Sequence, residues 1–265
     1  MRAVKALATL DGVAPGDHVC WKVDDAPGLT GGVESFVADG TLYGDRLVIV
    51  GSPTSLTEVG RLRSVPESAV MIDARVKPGS LALTVDREVQ RAKNAGYPTT
   101  RVLACREPGT HGLDGLVDEE FGFDETAALS GATVVCAYLP GPWSRAEWEA
   151  VMCVHPQTLG SRPELPGFQM FRWGKEDWKV SGVIDADGAH AFATVLRSAF
   201  LRTSQIRLRF DEVKLMDAAG MRALVDAATH LPDRCVIIEG ANRLVKLSWD
   251  LSGYAGPRTP VEVLA

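Results

Sequence analysis

Arg46-Leu-Val-Ile-Val50 and Arg101-Val-Leu-Ala-Cys105 are apolar at every position after the first, and Ala132–Tyr138 is nearly so. A strand with one wet face alternates apolar and polar residues. A strand that is apolar throughout has both faces covered, as in a parallel sheet with helices on either side. The segments between these runs have helical spacing. Gly31–Tyr43 carries Val33, Phe36, Val37 and Leu42, and Leu83–Asn94 is closed by Gly96-Tyr-Pro98. Phe123–Leu129 and Ser144–Cys153, with Ser144 as N-cap, read as further helices, and His18–Val23 and Ala69–Asp73 as further strands. Alternating strands and helices predict an α/β domain built on a mainly parallel sheet.

A second pattern begins after Thr158–Gly167, where two prolines and two glycines interrupt any regular element. Phe168–Trp173 and Trp178–Val183 read as a hairpin around the polar turn 174–177. Ala186–Leu201 reads as a helix, and Gln205–Phe210 as a half-exposed strand in which Ile206, Leu208 and Phe210 alternate with arginines. Ala218–His230, Cys235–Glu239, Asn242–Leu251 and Pro260–Leu264 follow as helix, strand, helix and edge strand. The reading is therefore of two α/β domains, 10–160 and 168–265.

The formal net charge of −6 and the absence of a Lys/Arg run argue against direct nucleic-acid binding. No stretch of about 18 apolar residues is present to span a membrane, and Met1–Gly12 lacks the apolar core of a secretory signal. Cys20, Cys105, Cys136, Cys153 and Cys235 are odd in number and scattered, which fits reduced thiols and a cytoplasmic location.

Ile206-Arg-Leu-Arg-Phe-Asp-Glu-Val-Lys-Leu-Met-Asp-Ala-Ala-Gly-Met-Arg-Ala-Leu-Val225, followed by Val236-Ile-Ile-Glu-Gly-Ala-Asn242, resembles the central strand, loop and helix of STAS domains, the anti-sigma-factor antagonists. The resemblance covers about 90 residues, from near Phe168 to the end of the sequence. It implies that Asp217, Ala218, Ala219, Gly220 and Met221 form a surface for an anti-sigma factor or a related signalling kinase. Independently of the family, Asp217 before a helical run suits an N-cap, and Gly220 permits close backbone approach. Regulated relatives carry Asp-Ser-Ser/Thr-Gly and are switched by phosphorylating the first hydroxyl. Asp217-Ala218-Ala219-Gly220 has none to modify, which excludes a phosphate switch at this position.

Gly16-Asp-His-Val-Cys-Trp-Lys-Val-Asp-Asp25, with Val135-Cys-Ala-Tyr-Leu139 and Val154-His-Pro156, resembles MEDS domains, sensory modules named after methanogen and methylotroph regulators. It implies a RecA/KaiC-like fold without nucleotide hydrolysis, and detection of a small molecule. Leu139 stands where relatives usually have Asp. No G-x-x-x-x-G-K-[ST] string is present to cradle phosphate, since Gly174-Lys175 runs into Glu176. His18 and Cys20, two apart in a strand, share a face. With Cys136 and His155 they form the expected ligand-binding set. Two imidazoles and two thiols could hold a zinc-like ion, line a pocket at the carboxyl edge of the sheet, or simply be core. No metal or other cofactor is assigned. Asp24, Asp25, Asp118, Glu119 and Glu120 read as solvated loop charges. The expected function is a non-enzymatic regulator of transcription, with a sensory domain coupled to a protein-binding domain. The alternative is a ligand or metal sensor whose STAS-like domain mediates self-assembly.

Overall fold

The computed structural model describes residues 4–75, 80–109, 112–160, 165–174, 176–203, 206–230, 235–256 and 259–264. The chain divides into two compact units: Met1–Ser144 with His155–Glu164, and Arg145–Val154 with Leu165–Ala265. The helix Arg145–Val154, expected in the first domain, thus belongs with the second.

In unit 1 the strands are β1 (Lys5–Leu7), β2 (His18–Lys22), β3 (Arg46–Gly51), β4 (Val70–Asp73), β5 (Thr100–Arg106), β6 (Thr133–Tyr138) and β7 (Gln157–Leu159). They form one sheet in the order β1-β7-β2-β6-β5-β3-β4, and its adjacent strands pair in parallel. The helices are α1 (Ala26–Tyr43), α2 (Pro53–Gly60), α3 (Ser80–Asn94) and α4 (Leu113–Ser130). The α/β class and the parallel sheet agree with the apolar runs. Three elements were not legible: the short strands β1, at the sheet edge, and β7, beside it, and α2, which Ser52 caps just before Pro53.

Strand alternation sorts the central residues onto two faces. Val19, Trp21, Leu47, Ile49, Leu103, Cys105, Val135 and Ala137 pack with Val33, Phe36 and Val37 of α1 and Val59 of α2 in one apolar core. Their neighbours in sequence, among them His18, Cys20, Arg106, Cys136 and Tyr138, point to the other face, where α4 reaches His18 and Cys136. Helix α4 is ten residues longer at its start than the expected Phe123–Leu129, and it ends where Gly131 takes the left-handed conformation (φ 77°). That added length decides what lies over the sheet.

Unit 2 contains α5 (Arg145–Val154), β8 (Phe168–Arg172), β9 (Asp177–Ile184), α6 (Ala189–Arg202), β10 (Ile206–Met216), α7 (Ala218–Thr229), β11 (Val236–Glu239), α8 (Arg243–Leu251) and β12 (Val261–Val263). The sheet order is β12-β11-β10-β9-β8. Only β8 and β9 pair antiparallel, as the expected hairpin, and the other neighbours are parallel. In β10, Ile206, Leu208 and Phe210 are buried and the arginines between them are half-buried, as their alternation requires. Among the described residues no helix is long and apolar enough to cross a membrane.

Candidate functional site

Helix α4 lays Glu120 and Asp124, one turn apart, over the face of the central strands that carries His18 and Cys136. Glu120 Oε2 lies 3.0 Å from Cys136 Sγ, 3.4 Å from His18 Nε2 and 3.3 Å from His155 Nε2. Cys136 Sγ is 3.5 Å from His18 Nε2, and the two imidazole rings stack with centroids 4.0 Å apart. All four side chains are fully buried, and their candidate ligand atoms lie within 4.8 Å of one another. The elements that meet here are far apart in sequence: His18 opens β2, Cys136 is central in β6, and His155 precedes β7.

A further set of groups holds these four in place. His18 Nδ1 faces Asp124 Oδ1 at 3.3 Å, and Gln157 Oε1 accepts from the His18 backbone N–H at 3.0 Å. Arg106 closes the strand end of the cluster. Its Nη2 donates to Glu119 Oε2 at 2.6 Å, and its Nε lies 3.1 Å from Glu120 Oε1. Three carboxylates, Glu119, Glu120 and Asp124, are wholly excluded from water here. Buried charges cost several kcal/mol each unless they are paired, so Arg106 and the imidazoles are what make this arrangement tenable.

The titration behaviour follows from burial and charge together. Burial pushes the Glu120 carboxyl up, but Arg106, His155 and His18 outweigh it and hold it well below its usual range. Burial pulls His18 down, while Asp124 and Glu120 more than compensate and raise it above its ordinary value. The Cys136 thiol is pushed well up by burial and by the Glu120 charge. Without another cation nearby it is a neutral thiol donating to that carboxylate.

Of the expected ligand set, His18, Cys136 and His155 are brought together. Cys20 is buried beside Cys136 in the sheet register, but it is outside the group of four, and Glu120 takes its place. The cluster lies under α4 on the face of the sheet, sealed from solvent, rather than in an open pocket at the carboxyl edge. Glu119 and Glu120, expected as solvated loop charges, are core residues of a helix. The missed signal is positional. Leu113, Leu116, Val117, Glu120, Asp124 and Ala127 share helical spacing, so a helix read from Leu113 puts two carboxylates on its apolar face.

The second candidate site is the start of α7. Asp217 Oδ1 accepts from the backbone N–H groups of Ala219 and Gly220 at 2.8 and 2.9 Å. Its Oδ2 accepts from Ala186 N–H at 3.0 Å. Both oxygens therefore serve the fold, as the expected cap does. Gly220 is buried against β9, where a Cβ would come within 2.7 Å of Ile184 Cγ2 and 2.9 Å of Ile184 O. Met221 is fully buried. Expected as partner-facing, Gly220 and Met221 are core residues. The accessible part of the turn is Ala218, Ala219 and the next helical turn at Arg222 and Ala223. Between α6 and α7 lies a groove of about 490 Å³, whose lining includes Ala193, Ala219 and Ala223 together with His190, Arg197, Arg222 and Asp226.

Set against known proteins, no family model and no curated protein matches this chain, so both sites stand on their own geometry.

Proposed function

We propose that the chain is a signal-transduction regulator: unit 1 is the sensory part, with a RecA/KaiC-like sheet of the MEDS type, and unit 2 is a STAS-type domain that binds a protein partner. The partner class that fits is an anti-sigma factor or a related signalling kinase, and the setting is transcription control in the cytoplasm. The observation that carries this reading is the open start of α7. Asp217 ties the turn down from within, Ala218 is exposed, and Ala219 and Arg222 remain accessible in the lining of an alanine-rich groove. Small side chains give a flat approach for another polypeptide, and with no hydroxyl at 218 or 219 the surface has no phosphate switch.

The test uses the full chain, because α5 belongs with unit 2. Ala218→Glu with Arg222→Glu changes charge only on the exposed turn. Fold and thermal midpoint are expected to stay near wild type, while binding to a co-purifying anti-sigma factor or kinase falls at least about tenfold by interferometry, in line with loss of interface-centre complementarity. Unchanged binding of that partner by the double variant would remove the docking role.

One observation favours self-assembly as a second reading of unit 2. Leu244, Leu247 and Leu251 on α8 are 60%, 52% and 80% exposed, while Val245 and Trp249 face inward. Spacing of three and four residues makes a leucine stripe that a second copy can match about a two-fold axis. Leu247→Lys with Leu251→Lys is expected to shift sedimentation from dimer to monomer. A wild-type chain that sediments as a monomer at high micromolar concentration excludes this role.

A further inference from the structure

Glu120 Oε2 is approached by three groups, His18 Nε2, His155 Nε2 and Cys136 Sγ, at 3.4, 3.3 and 3.0 Å. A carboxylate oxygen has two lone-pair directions, and its hydrogen bonds to charged N–H donors are about 2.7–2.9 Å long. Three converging groups, two of them beyond that distance, make a poor hydrogen-bond set. The same spacings match a coordination polyhedron. With metal–ligand bonds of about 2.0–2.3 Å, the edge of a tetrahedron is roughly 3.3–3.8 Å. The His18–Glu120, His155–Glu120 and His18–Cys136 separations are 3.4, 3.3 and 3.5 Å. Cys136–Glu120, at 3.0 Å, is shorter than such an edge, and the two further separations, of His155 from His18 and from Cys136, lie within 4.8 Å.

We infer that unit 1 holds one divalent zinc-like ion through His18 Nε2, His155 Nε2, Cys136 Sγ and a Glu120 carboxylate oxygen. Two independent features support it. His18 Nδ1 faces the Asp124 carboxylate, which favours the proton on Nδ1 and leaves the Nε2 lone pair aimed at the centre. This carboxylate–histidine pairing is the usual orienting partner of a metal-bound imidazole. Arg106 engages the other Glu120 oxygen, fixing the carboxylate so that Oε2 faces the cluster. Charge also balances. On binding, Cys136 releases its proton to solvent, as does either imidazole that carries one on Nε2, and a dication with one thiolate, one carboxylate and two neutral imidazoles is neutral, as burial demands. The mixed imidazole, thiolate and carboxylate donors suit zinc among the common ions. Four protein ligands with full burial describe a closed structural site, without an open position for catalysis. Such an ion would tie together β2, α4, β6 and the segment entering β7.

The experiment takes the full chain, purified without a polyhistidine tag, stripped with chelator and dialysed against Zn²⁺ or Co²⁺. About one ion per chain is expected by mass spectrometry of the metal, with a higher Tm in Zn²⁺ than in chelator. Cobalt is expected to give the strong visible bands of a tetrahedral site and a thiolate-to-cobalt band in the near ultraviolet. Cys136→Ser should abolish the near-ultraviolet band. Cys20→Ser should keep it. Asp124→Asn should retain the spectrum but weaken affinity about 10- to 100-fold, the usual cost of losing an outer partner. A folded wild-type chain that takes up neither ion overturns the assignment, and so does a thiolate band that survives Cys136→Ser. If Cys136→Ser does not fold, the wild-type spectrum and the Asp124→Asn affinity still decide.

Discussion

Arg106→Met should cost unit 1 about 3–5 kcal/mol, the usual penalty for removing one partner of a buried ion pair. Methionine approximates the arginine stem and keeps the contact with Phe123, whose ring the guanidinium now overlies at 5.7 Å. What it cannot do is answer Glu119 and Glu120, which would lose their shared guanidinium while still excluded from solvent. Hydrogen exchange of β5 and β6 amides, measured in chelator, reports the loss in the unit concerned. Arg106→Lys should fall between, because one ammonium cannot reproduce the two-sided grip of a guanidinium. Adding Glu119→Gln to Arg106→Met should recover part of the loss, since the buried charge then disappears with its partner. Wild-type exchange rates in Arg106→Met would show that the pair does not carry the stability assigned to it.

Met221→Asp and Ala218→Asp place the same charge three residues apart on α7, and opposite outcomes are expected. Met221 is fully buried, so aspartate there removes a large apolar side chain and buries a carboxyl with no cation provided. The cavity alone costs about 2–5 kcal/mol, and the polar group adds to it. Unit 2 should unfold or lose its sharp thermal transition. Ala218 is exposed in the first turn of α7. Aspartate there meets the positive end of the helix dipole and should change stability by less than about 1 kcal/mol. Thermal melts of the two variants check the contrast. It also bears on how docking is tested: a binding defect in Met221→Asp reports a lost fold, whereas one in Ala218→Asp reports a lost surface.

The sheet of unit 1 was readable because its central strands are buried on both faces and so carry uninterrupted apolar runs. Unit 2 was readable for the complementary reason, since Ile206–Phe210 alternates as a half-exposed strand does. The short strands β1 and β7 were not, because three residues leave too little pattern for any period to register. The candidate site was half legible. His18, Cys136 and His155 stood out by residue type. Glu120 did not, because an acidic run ordinarily signals solvent, and only the full extent of α4 reveals that it faces inward. Arg106 closes an apolar strand where a terminal charge would ordinarily reach water, and its role depends on carboxylates from a different element. Met221 shows the reverse error. The turn resembling a binding motif was correctly placed on the surface at Ala218, but helical periodicity turns the third residue after it into the core.

The order in which the chain visits its two units has a practical consequence. Helix α5 is spliced into the sequence between β6 and β7, so unit 1 is completed only after a helix belonging to unit 2 has been made. A single cut therefore cannot liberate either half intact. A fragment beginning at 168 lacks a helix that packs on α6 and β8. A fragment ending at 160 carries that helix, with its buried residues Ala150, Val151, Cys153 and Val154, but without the α6 and β8 on which it packs. Dissecting this protein calls for excision and rejoining, with a short linker replacing 145–154 in one half and the same segment transplanted to the front of the other.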